Sequence, residues 1–126
     1  MSDINELAKN FNSVVTDFTE QLVKLNPSSI VINNVNKAKM AMKVSKIKLL
    51  DQFVLHVLEH KEYFDNKDDY IFLNISFPNS KIITAMIKDV RSLWNTISDD
   101  NKDRIFEYFQ VLCYYSREYV LLLTDK

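Results

Sequence analysis

The chain has 126 residues, 47% of them hydrophobic, with eight Phe, six Tyr, one Trp, a formal charge of −1 and no glycine. That composition is globular, fits one domain spanning residues 1–126, and excludes both a disordered chain and a global pull toward nucleic acid or anionic lipid. The missing glycine excludes phosphate-cradling loops, dinucleotide fingerprints, nucleophile elbows and EF-hand turns in their standard forms, all of which need positive φ or close backbone approach.

Ile4, Leu7, Phe11, Val14, Val15, Phe18, Leu22 and Leu25 recur at three- and four-residue steps, which predicts an amphipathic helix of about six turns. Ser2 is its expected N-cap, and Asn26-Pro27 stops it, because the residue before proline is driven out of the helical region. Ser28 or Ser29 then caps a second helix. Its apolar stripe of Val35, Ala38, Met42 and Val44 is thin, and the opposite side carries Lys37, Lys39, Lys43 and Lys46. Ser45 interrupts the pattern and marks a bend. Leu50, Phe53, Val54, Val57 and Leu58 predict a third helix running to about His60.

Asp65-Asn66-Lys67-Asp68-Asp69 reads as a polar turn. Beyond it, Ile71, Leu73, Ile75 and Phe77 alternate with Tyr70, Phe72, Asn74 and Ser76. That period of two predicts an extended connector near residues 70–77, packed across the helices. The only other β-branched run, Ile30-Val31-Ile32, is the alternative partner for a short two-stranded pairing. Pro78-Asn79-Ser80 opens a fourth helix, with Ile83, Met86, Ile87, Val90, Trp94 and Ile97 on one face. Ser98 caps a fifth, roughly residues 99–123, with Asp99 and Asp100 at the positive end of its dipole. Ile105, Phe106, Phe109, Leu112, Cys113, Val120 and Leu123 make one broad face of this helix, while Tyr108, Tyr115, Tyr119 and Leu122 make a second. A helix apolar on two sides is central or lies at an interface. The expected fold class is all-α, a compact bundle of about five helices.

His56-Val57-Leu58-Glu59-His60 matches H-x-x-E-H, and two histidines four residues apart on a helix can grip one zinc ion. A third ligand would have to come from Glu62, Asp65 or a distant carboxylate such as Glu107 or Glu118, and Val57 and Leu58 belong to the apolar stripe, so His56, Glu59 and His60 read as ordinary helix residues. The expectation is no metal, no cofactor and no catalytic residue. Asp65, Asp68 and Asp69 lack the spacing and the glycine of a calcium loop. Cys113 lies between Leu112 and Tyr114 on an apolar face, as an inert core thiol does.

Lys37, Lys39, Lys43, Lys46, Lys48 and Lys61 face only two acids, Asp51 and Glu59, between residues 37 and 61. Such a patch neutralises a few phosphates or meets an acidic protein surface, although it contains no arginine for bidentate recognition. The bland alternative is a solvated helix face. Tyr108, Tyr115, Tyr119 and Leu122 either roof the core or form an interface with a protein partner or a second copy. With one cysteine, no apolar run near the 18 residues of a membrane span, and an acidic amino terminus, the chain is expected in a reducing, cytosol-like compartment away from membranes.

Three stretches carry a likeness as a set: Lys39–Met42 leading into Leu50–Phe53, Asp68–Asn74, and Leu93–Lys102 continuing through Ile105–Leu112. Together they resemble small, largely uncharacterised helical proteins of nucleocytoplasmic large DNA viruses, including mimivirus-like giant viruses. Twelve asparagines and abundant lysine and isoleucine agree with the low-GC coding bias of such genomes. The resemblance implies a helical fold and a viral origin, with the host cytoplasm or virion as location, and it brings no catalytic residue. The sequence therefore points to a non-enzymatic helical interaction, structural or accessory protein. The alternative is a nucleic-acid or acidic-partner binder using the lysines of residues 37–48.

Overall fold

Three serines set the starts of three helices in the computed structural model, which describes the backbone of residues 2–124 and the side chains of residues 3–124. Helix α1 (Ser2–Leu25) stops before Pro27, and the side chain of Ser2, its expected cap, lies outside the described residues. Ser28 Oγ accepts from the Val31 amide at 3.2 Å and opens α2 (Ser29–Val44). Helix α3 (Lys48–His56) follows the extended Ser45, then a 3₁₀ turn (Leu58–His60), α4 (Lys61–Asp65) and α5 (Tyr70–Leu73). Ser80 Oγ accepts from the Ile83 amide at 3.2 Å to start α6 (Lys81–Leu93), and Ser98 does the same for the Asn101 amide ahead of α7 (Asp99–Thr124). In each case a side-chain oxygen satisfies one of the amides that a helix start leaves free.

The all-helical class is as expected, with seven α-helices rather than about five among the described residues. One addition comes from the third helix, which breaks at Val57. Phe53 and Val57 are buried one turn apart, so an unbroken helix would carry Lys61, four residues on, toward the core. Tightening into a 3₁₀ turn removes that conflict and lets Phe64 enter the core from α4.

The other addition corrects the extended connector of residues 70–77. Residues 70–73 form a helical turn, begun where Asp68 Oδ1 accepts from the Tyr70 amide at 3.1 Å. Adjacent Ile71 and Phe72 are both fully buried, which a strand with alternating faces cannot achieve. No strand occurs among the described residues, so Ile30-Val31-Ile32 pairs with nothing and instead forms the start of α2. Helix α6 also ends earlier than its apolar stripe suggests. Trp94 caps it, buried, with its indole N–H donating to Asp69 Oδ2 at 3.0 Å.

One continuous apolar cluster draws side chains from every helix. Phe109 of α7 is its hub, with ring centroids 5.2 Å from Phe18, 4.8 Å from Phe64 and 5.3 Å from Phe72. Helix α7 packs along α1 and also meets α3 and α4. Both of its apolar sides are therefore covered for most of its length, which accounts for the two apolar faces seen in its sequence.

Candidate functional site at helix α2

Helix α2 has a narrow buried stripe of Val31, Val35, Ala38 and Ala41, flanked by the partly buried Asn34 and Met42, and most of its other side chains are open to solvent or to a partner. Val44, expected on the buried stripe, is instead 76% exposed, with Ile30 at 71% and Met40 at 61%. These values matter because large apolar side chains this open, repeated along one helix, are the surface feature that marks a contact site. Ile30, Lys37 and Val44 are spaced seven residues apart and Met40 lies between them, so they form one ridge.

Lys37, Lys39, Lys43, Lys46 and Lys48 are all exposed. No Asp or Glu occurs from Leu25 to Leu50, a stretch holding these five lysines; all seventeen acids and the other eleven basic residues lie elsewhere. A chain of nearly zero net charge thus has a positive end around α2 and a negative remainder, and that polarity orients an incoming charged partner.

The structure divides the lysines between two flanks. Lys39, Lys43 and Lys46, with Met42, line an open groove of about 800 Å³ against α1. The opposite wall carries Asn5, Glu6, Lys9, Asn12 and Thr16. Asn12 Nδ2 donates to the Lys46 carbonyl at 2.9 Å and fixes the groove's closed end; its Oδ1 is buried with no donor among the described residues. Lys9, from α1, adds a fourth cation to the groove.

Lys37 faces the other way, toward α6. There it helps line a cavity of about 170 Å³ walled by Thr19 and Leu22 of α1, Val35 and Ala38 of α2, and Ile82, Ala85 and Met86 of α6. Asp89, only 4% exposed, also lines it and accepts from Asn34 Nδ2 at 3.0 Å. Burial pushes the Asp89 carboxyl above its ordinary range, and the Asn34 hydrogen bond offsets part of that rise. Sequence reading missed both residues. The available signal was an acid placed three residues after Met86 and one before Val90, at the margin of the apolar stripe of α6.

The remaining sequence candidates are not brought together. His56 ends α3 while His60 lies in the 3₁₀ turn beyond the break, so the two do not share a regular helix face. His60 packs edge-on against Phe77 at 5.6 Å and lies beside Glu59 at 3.2 Å. No cluster of three metal-ligating side chains forms among the described residues. Tyr119 is buried, and Tyr108, Tyr115 and Leu122 are partly covered. Phe18 receives Tyr108 at 5.4 Å. This face of α7 is thus turned largely into its own chain, and the exposed apolar residues of α7 are Val111, Tyr114, Leu121 and Leu123. Cys113 is buried and its thiol is pushed up to about 12, mainly by desolvation, which withholds the reactive thiolate. Among the described residues no helix is long and apolar enough to cross a membrane.

No family model, no curated protein and no solved structure matches this chain.

Proposed function

We propose that the protein is a non-enzymatic binding module whose α2 surface docks an acidic, amphipathic segment of a protein partner. The observation that carries this reading is the interleaving, along α2 and the turn that leads into α3, of three widely exposed apolar side chains, Ile30, Met40 and Val44, with five lysines and no acid. Apolar area supplies affinity and the lysines supply orientation and encounter rate. Duplex nucleic acid would use the lysines but leave the apolar ridge idle, and the stretch lacks the arginines that phosphate and base recognition favour. On this reading the site is α2 rather than the tyrosine side of α7, and the resemblance to helical proteins of large DNA viruses makes it an accessory component of such a virus.

Fluorescence anisotropy with two labelled probes tests the proposal: a glutamate-rich amphipathic peptide and a short DNA duplex of equal charge. The peptide binds more tightly, its affinity falls with salt, Lys39→Glu with Lys43→Glu weakens it, and Met40→Ser with Val44→Ser weakens it as well. Failure of the peptide to bind at low salt overturns the reading. Tighter duplex binding, indifferent to Met40 and Val44, replaces it with nucleic-acid recognition.

A further inference from the structure

The cavity between α1, α2 and α6 has opposite charges at its two ends and apolar walls between them. On α6, Lys81, Ala85 and Asp89 all line it at successive four-residue steps, so they share a face, and the Lys81 and Asp89 backbones lie about 12 Å apart along the axis. On α2, Asn34 meets Asp89, and the next turn brings Lys37 and Ala38 onto the same cavity. Lys37 and Lys81 are both exposed, whereas Asp89 is buried. Lys81 is also the first residue of the Ser80-capped α6, where the helix dipole is positive.

Asp89 lacks a counterion. None of the ion pairs among the described residues includes it, and Asn34 is the one side chain that donates to it there. A buried carboxylate left in this condition is costly, and a packing role would be served better by an apolar residue. Here it borders open space, with Val35, Ala38, Ile82 and Met86 as walls. A convergent polar pair at the base of an apolar cavity is the usual build of a small-molecule site.

We infer that this cavity binds a small zwitterion in which a short alkyl chain separates an ammonium from a carboxylate. The ammonium docks on Asp89 and the side-chain carbonyl of Asn34. The methylenes lie along Ala38, Ala85 and Ile82, and the carboxylate reaches Lys37 and Lys81 at the rim. Size agrees: an apolar cavity of roughly 150 Å³ accepts benzene, so about 170 Å³ holds a chain of about five or six carbons. An α-amino acid without a side-chain ammonium carries both charges on one carbon and cannot reach both ends. The site faces α6, away from the α1 groove, and shares only Lys37 with the docking surface proposed above, so Asp89→Asn tests it without touching that surface.

The test uses three probes of equal length on the full chain: ε-aminocaproate, hexylamine and caproate, followed by NMR shifts of the Ala38 and Ala85 methyls. ε-Aminocaproate shifts both methyls and binds about tenfold more tightly than either singly charged probe. Asp89→Asn abolishes its binding; this variant removes a buried charge and is checked for folding by its melting curve. Lys37→Ala with Lys81→Ala brings ε-aminocaproate down to the affinity of hexylamine, which itself does not weaken. Absence of shifts with all three probes overturns the inference. So does unchanged binding by folded Asp89→Asn, or caproate matching ε-aminocaproate.

Discussion

Arg91 Nε donates to the Phe72 carbonyl at 2.6 Å, and its Nη2 donates to the Ile75 carbonyl at 3.2 Å. A single guanidinium on α6 thus holds both α5 and the irregular segment that follows it, using the fork of donors that only arginine offers. Hydrogen bonds from a charged donor contribute about 1.5–3 kcal/mol each. Arg91→Met should therefore destabilise the fold by about 3 kcal/mol or more, read from urea unfolding midpoints. Arg91→Lys, able to serve one carbonyl, should recover about half of that loss. A Lys variant as stable as the parent would mean that charge alone matters, not the fork.

Asp89 gives the stability of this chain an acid-side signature. Burial raises its carboxyl above the ordinary 3.8, so the folded state holds the proton more tightly than the unfolded one. Its contribution is fully present below that ordinary value and is lost as pH rises through the raised value. Asp89→Asn, neutral throughout, should stabilise the protein at neutral pH by about 1 kcal/mol. The gap between the two proteins should close as pH falls below the ordinary carboxylate range. Urea titrations of both proteins at neutral and acid pH check this, and a gap that is constant with pH would remove Asp89 as its source.

The long helices were legible because one signal sufficed. In α1 every stripe residue from Phe11 to Leu22 is buried or packed against the core, and the caps at Ser28, Ser80 and Ser98 act as their positions suggest. Residues 70–77 were not legible, because Tyr70 and Phe72 occupy the supposedly polar positions of the alternation. Their helical turn depends on partners far along the chain, Arg91 and Trp94, which no local pattern reveals. The site divides the same way. The lysines of α2 were visible as a run, and the structure leaves them exposed. Lys9 joins them only because α1 lies alongside, and Asn34 finds Asp89 across 55 residues.

The two sides of α7 offer a direct contrast between core and surface tyrosine. Tyr119 is 5% exposed and Tyr114 is 57% exposed, five residues apart on one helix. Tyr119→Ala should cost about 3 kcal/mol, as large aromatic truncations in cores do. Tyr114→Ala should stay within about 0.5 kcal/mol of the parent. Thermal unfolding of the two variants checks the difference, and equal costs would mean that the tyrosine side of α7 is not core.

A glycine-free chain still has to turn, and at Lys67 the backbone bears the consequence. Its φ is 51°, the left-handed region that disfavours every side chain with a Cβ. The geometry around it closes α4: the Lys67 amide donates to the Phe64 carbonyl at 3.1 Å and the Asp68 amide to the Tyr63 carbonyl at 2.8 Å. That pair of bonds is the Schellman arrangement, whose left-handed position glycine fills in most helices. Lys67 does gain a partner, Asp103 at 3.5 Å, but both side chains are about half exposed, and such pairs contribute little. Removing the Cβ strain should outweigh losing that pair, so Lys67→Gly is expected to raise stability by about 0.5–1 kcal/mol despite the extra freedom glycine gives the unfolded chain. Lys67→Ala keeps the strain and loses the ion pair, and should be neutral or slightly destabilising. Urea unfolding of the three proteins separates the cases: a Gly variant no more stable than the Ala variant would show that the left-handed backbone here carries no strain.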